Sequence, residues 1–155
     1  MQISRLFFFV TIITLLSACD KNVVFEKNVK IPESQWDINN PIRLDAEIKD
    51  TLTPFNMYVN LRNGSRYQYS NLFLFFTTTT PGGIIAHDTI EVTLADDRGK
   101  WLGNGIGDIK DNRILFKRNF HFPRTGIYKF ELQQAMRVNP LLQIADVGIR
   151  IEKAQ

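Results

Sequence analysis

A two-residue hydrophobic beat, returning along the chain with turn residues between its repeats, constrains this sequence more than anything else in it. Ile42-Arg43-Leu44-Asp45-Ala46-Glu47-Ile48-Lys49 alternates apolar and polar at every step, which sets one face of a strand on a core and the other in water. Phe55 to Arg62, Asp88 to Ala95, Gly126 to Gln133 and Val147 to Glu152 repeat the pattern. From Tyr67 to Thr80, alternating aromatics pass into Leu72-Phe73-Leu74-Phe75-Phe76 and a run of four threonines, closed by Pro81-Gly82-Gly83. Nearly every residue there favours a strand, and the run is short enough to be a buried one.

Asn63-Gly64-Ser65 offers a tight turn, so a further strand is expected at once, and Asp96-Asp97-Arg98-Gly99 predicts another turn. Ile114-Leu115-Phe116 and Phe120-His121-Phe122 predict a strand or two ahead of Pro123. Trp101 to Asp108 is glycine-rich and reads as an irregular strand or bulge. Only Gln134 to Leu142 suits a short helical or irregular connection, since Pro140 breaks anything longer. Many short strands without a long amphipathic helix imply an all-β fold, an antiparallel sandwich of jelly-roll or related Greek-key type.

The first nineteen residues fix the compartment. Arg5, the apolar run Leu6 to Leu16, and Ser17-Ala18 just ahead of Cys19 form the three regions of an export signal. The apolar run falls short of the roughly 20 residues a membrane span requires. Leu16-Ser17-Ala18-Cys19 is the lipobox of bacterial lipoproteins, so residues 1–18 are expected to be removed and Cys19 to carry the lipid. Two or three acyl chains, palmitate among them, hold a protein durably where a single chain is marginal.

The organisation that follows is a signal peptide over 1–18, a lipidated tether and first strand over 19–40 with Trp36 pinned to the core, and a sandwich domain over 41–155. Cys19 is the only cysteine, so no disulfide supports the domain. Losing Arg5 with the leader leaves 18 of the 19 basic residues against 16 acidic ones. That balance lacks the positive field a nucleic-acid binder needs.

No catalytic constellation rises above background. His87 and His121 stand in no metal-binding spacing, and zinc needs three or four ligands. Asp96, Asp97, Asp108 and Asp111 suit calcium by donor type, but hairpin turns need the same residues and that reading outweighs calcium. Gly103-Asn104-Gly105-Ile106-Gly107 lacks the lysine-serine ending of a phosphate loop. No metal or other cofactor is therefore expected. Tyr58, Tyr67, Tyr69 and Trp101 are candidate anchors for a sugar or a protein partner, set against ordinary cross-strand packing.

Several stretches together resemble the GldH family of gliding-motility lipoproteins of the Bacteroidetes. They are the lipobox, Tyr58 to Asn63 with Tyr67 to Leu72, Asp96 to Gly105, Gln134 to Arg137, and Asp146 to Glu152. The resemblance spans essentially the whole chain. It implies a cell-envelope lipoprotein needed for gliding, in a system tied to type IX secretion, and it carries over no catalytic residue. Candidate partner-contact residues are Trp101, Asp97, Arg137, Arg150, Tyr67 and Tyr69, with Arg150 expected on the surface because it faces away from Val147, Ile149 and Ile151.

The leading expectation is a non-enzymatic docking component, anchored through Cys19 on the periplasmic face of the inner or outer membrane and bound to other gliding or secretion proteins. A carbohydrate-binding lipoprotein is the alternative and needs Tyr67, Tyr69 or Trp101 grouped in an open groove. A hydrolase needs two of Asp88, Asp96, Asp97, Asp108 and Asp111 to converge.

Overall fold

The computed structural model describes residues 21–154. The expected leader, 1–18, and Cys19, the expected lipid attachment, lie outside them. Ten strands form in chain order: β1 (Val23–Lys30), β2 (Gln35–Trp36), β3 (Ile42–Ile48), β4 (Phe55–Gly64), β5 (Asn71–Thr79), β6 (Ile85–Thr93), β7 (Ile109–Phe120), β8 (Gly126–Gln134), β9 (Leu141–Leu142) and β10 (Ile144–Lys153).

Two antiparallel four-stranded sheets carry the fold, in the orders β1-β10-β4-β7 and β3-β8-β5-β6. Counting only the eight long strands, the orders become 1-8-3-6 and 2-7-4-5, which is the jelly-roll topology. The short β2–β9 ribbon lies outside both sheets. Among the described residues no helix is long and apolar enough to cross a membrane.

The core follows from the alternation. Met57, Val59 and Leu61 on β4 and Val147, Ile149 and Ile151 on β10 face Leu44, Ala46 and Ile48 on β3, Leu72, Leu74 and Phe76 on β5, and Phe130 and Leu132 on β8. All are buried, and removing this much apolar surface from water drives the two sheets together. Phe122 meets Phe55, Phe120 and Tyr128 edge-on at ring-centroid distances of 5.4, 4.8 and 4.8 Å and plugs the end of the sandwich where β1 and β4 begin. Trp36 is buried as expected, its indole N–H donating to the Asn40 carbonyl at 3.1 Å.

Several local expectations are corrected. Asn63-Gly64-Ser65 closes no hairpin: β4 already has β10 and β7 on its two edges, so the chain crosses to the other sheet before β5. The strand expected from Tyr67 begins only at Asn71, because Tyr67 N–H bonds back to the Gly64 carbonyl at 3.0 Å and curls the intervening backbone. One bulged strand, β7, covers residues 109–120 where two were conceivable. Pro81-Gly82-Gly83 follows the end of β5 as expected and there turns the chain back into β6 as a hairpin, with Gly83 at φ +81°. The connection expected over Gln134 to Leu142 is irregular over residues 135–140, with a cis Asn139–Pro140 peptide bond, while its ends belong to β8 and β9.

Candidate functional site

At the end of the sandwich opposite Val23, the loop leaving β4 meets the loop entering β10, with Gly64 N–H donating to the Gln143 carbonyl at 2.8 Å. Two clefts of about 450 Å³ each open beside these loops. Arg66, Gln68, Pro140, Leu142 and Gln143 help line the first, and Phe73, Ala135, Met136 and Arg137 the second. Tyr69 and Val138 line both, so the clefts adjoin along those two side chains.

The 135–140 loop that borders both clefts is fixed by hydrogen bonds. Gln134 is fully buried; its amide donates to the Val138 carbonyl at 3.1 Å and its side-chain oxygen accepts the Met136 N–H at 2.8 Å, so one side chain templates the loop above it. Asn139 Oδ1 accepts the Ile38 N–H at 2.8 Å and Gln133 Nε2 donates to the Ile38 carbonyl at 2.8 Å, tying the loop to the segment after β2. A satisfied buried amide such as Gln134, backed by the part-buried Gln133 and the exposed Asn139, holds a loop in one shape.

Four of the sequence-derived candidates, Tyr67, Tyr69, Trp101 and Arg137, gather here, and a fifth, Asp97, lies on the adjoining turn. Tyr67 is buried, its hydroxyl donating to the Asn71 carbonyl at 3.0 Å. Burial, with a smaller contribution from Tyr69, pushes its phenol well above the ordinary tyrosine range, so it stays neutral. Its ring packs edge-on against Tyr69 at 5.5 Å and tilted against Trp101 at 6.5 Å. Tyr67 is thus the buried ring between the other two, with Tyr69 and Trp101 half-buried on either side of it. Arg137 is exposed on the rim of the second cleft. Asp97 is exposed on the adjoining turn, where Asp96 Oδ1 accepts the N–H groups of Arg98 and Lys100 at 2.9 Å and Gly99 adopts φ +77°.

Arg150 is a correction. It faces away from the core as expected, yet it is 7% exposed, because β1 and β4 flank β10 and their side chains close over it. Nη1 pairs with Glu26 Oε2 and Nε with Glu152 Oε2, both at 2.7 Å. Around it Tyr58 donates to Glu152 at 2.8 Å, Asn60 to Glu26 at 2.8 Å, and Arg62 Nε to the buried Asp146 at 2.6 Å. Hydrogen bonding to Asp146 holds the Arg62 guanidinium above its usual range, and burial raises the Tyr58 phenol. This outward network was missed from sequence, as was Gln134. Alternation does place Tyr58, Asn60 and Arg62 on one face and Asp146, Arg150 and Glu152 on another, but only strand pairing brings the two faces together.

The aspartates weighed for a hydrolase sit at separate places. Asp88 on β6 pairs with Lys117 at 3.0 Å, Asp96 and Asp97 form a turn, Asp108 faces Ser65 at 3.3 Å, and Asp111 lies opposite Arg62. Among the described residues no three His, Cys, Asp or Glu side chains group to hold a metal. His87 faces Thr77 across the β5–β6 hairpin at 3.0 Å, and His121 is exposed.

The chain matches the family model described as GldH lipoprotein over residues 23–151. It is 37% identical over 155 aligned residues to the gliding motility lipoprotein GldH homolog of Christiangramia forsetii, covering 96% of this chain and 94% of that one. It is 36% identical over 146 residues to the gliding motility lipoprotein GldH of Flavobacterium johnsoniae, covering 90% of each. No solved structure matches it. With the family model running from β1 almost to the end of β10 and both relatives aligned nearly end to end, this chain belongs to the GldH lipoprotein family.

Proposed function

We propose that this gliding-motility lipoprotein is a non-enzymatic docking component. In this reading it is tethered by lipid on Cys19 to the periplasmic face of the inner or outer membrane, and it binds another envelope protein of the gliding or type IX secretion apparatus. The observation that carries the proposal is the pair of adjoining clefts at Tyr69 and Val138. The second is mostly apolar, Gln134 fixes the 136–138 backbone that borders it, and the lining of both includes no carboxylate, histidine or cysteine to act as acid, base or nucleophile. The apolar edge continues over Phe73 and Phe75, 37% and 48% exposed on the outer face of β5. Contiguous exposed apolar surface of this kind marks a protein contact, and Arg66 and Arg137 at the rim suit a partner carrying carboxylates.

The test is a pull-down of the tagged lipoprotein from its own envelope after crosslinking, with wild type, Cys19→Ala and Val138→Asp compared. Enrichment of gliding or secretion proteins that both substitutions abolish supports docking. The same enrichment from Val138→Asp refutes the cleft as the contact.

A further inference from the structure

The end of the sandwich beside the N-terminus has a chemistry of its own. The Asn22 carbonyl accepts the Lys153 N–H at 2.8 Å, so the chain is fastened to the fold from Asn22 onward and only three residue steps separate that point from Cys19. Three residues reach about 11 Å at full extension. The ten-residue β10 spans about 33 Å, so a lipid on Cys19 cannot bring the Tyr69 clefts to the same surface while the sandwich stands on end.

Two stiff turns at this end hold aliphatic side chains out into solvent. Between β3 and β4, Asp50 accepts the N–H groups of Leu52 and Thr53 at 2.8 and 3.1 Å, and Leu52 projects 87% exposed. Between β5 and β6, Thr80 bonds the Ile84 carbonyl through its N–H at 2.9 Å and the Ile84 N–H through its hydroxyl at 3.1 Å, leaving Ile84 67% exposed. The Arg124 guanidinium lies against Gly82 on the β5–β6 turn, Lys153 faces Asp50 on the β3–β4 turn, and Lys21 is exposed one residue before Asn22; Lys49 is paired with Glu47 at 3.1 Å. Among the described residues the loops at the Tyr69 end carry no such excess of cations.

We infer that this end sits on lipid, with Leu52 and Ile84 entering the headgroup region of an anionic bilayer and the cations meeting its phosphates. Exposed aliphatics ringed by basic side chains are the elements of interfacial membrane binding, and a two-signal attachment is firmer than acyl chains alone. The inference rests on the proposed lipidation of Cys19. It adds an orientation that keeps the clefts facing away from the membrane.

The test uses the mature lipoprotein in vesicles of phosphatidylethanolamine and phosphatidylglycerol. With Cys19 acylated, Leu52→Cys, Ile84→Cys and, at the opposite end, the fully exposed Ile106→Cys each supply a single free thiol for an environment-sensitive fluorophore. Positions 52 and 84 should emit blue-shifted and be quenched severalfold more by spin-labelled lipid than position 106. If Cys19 is acylated by mass spectrometry and all three positions report water, or all three report lipid, the end-on contact is overturned while the anchor stands. An unmodified Cys19 overturns the anchor and the contact together.

Discussion

Replacing Arg150 by alanine distinguishes a structural arginine from a partner-binding one. The guanidinium makes two hydrogen bonds of 2.7 Å, to Glu26 and Glu152, whose side chains are 31% and 21% exposed. A hydrogen bond between charged groups contributes about 1.5–3 kcal/mol when desolvated, and water at the half-open glutamates reduces each to about 1 kcal/mol. The lost packing of the buried stem adds about 1 kcal/mol, at roughly 0.8 kcal/mol per buried methylene with part of the hollow refilled. Arg150→Ala should therefore destabilise the fold by about 3 kcal/mol, a fall in Tm of about 10 °C for a domain of this size. Arg150→Lys keeps the stem and the charge but cannot fork to two carboxylates, and should lose about 1 kcal/mol. Urea unfolding followed by circular dichroism measures both. A double-mutant cycle with Glu152→Gln should show coupling of about 1 kcal/mol. A loss below about 0.5 kcal/mol for Arg150→Ala would refute the reasoning and return the side chain to the list of partner contacts.

Further outcomes follow from other sites. A Cβ at Gly148 would collide with the Lys27 carbonyl and with Asn28 on β1, so Gly148→Ala should cost about 2 kcal/mol in urea unfolding and loosen the β1 edge. Gln134→Leu leaves the Val138 carbonyl and the Met136 N–H without their partner, so it should cost about 2 kcal/mol and expose the 135–140 backbone to hydrogen exchange. Asp50 is held below its ordinary value of 3.8, first by the Thr53 hydroxyl and then by the Thr53 and Leu52 N–H groups. A carboxylate whose folded pKa is depressed contributes stability above its unfolded pKa and loses it as pH falls through the folded one. Asp50→Asn should thus be less stable than wild type near neutral pH, with the gap closing below about pH 4 in urea titrations.

The strands and the core were legible because a jelly roll packs one face of nearly every strand: Ile42 to Ile48 is buried at every second residue. What alternation lacks is pairing. The hairpin expected after Asn63 fails because β4 is interior to its sheet, a fact that depends on β10, more than eighty residues later. Arg150 has the expected face and less exposure than expected for the same reason, since Glu26, itself bonded by Asn60, reaches it only across strands. The aromatic part of the site was legible because Tyr67, Tyr69 and Trp101 are large side chains next to turns. Gln134 was not, because nothing in one sequence distinguishes a buried amide that templates a loop from a solvated one.

The account turns on the Tyr69 and Val138 clefts being the surface that meets the gliding or secretion machinery. The direct measurement is a photo-crosslinking amino acid placed at Val138, and separately at exposed Lys27 on β1 of the other sheet, in cells that glide. The account predicts adducts with envelope proteins of that machinery from position 138 and none from position 27. Adducts with such proteins from position 27 alone would contradict it.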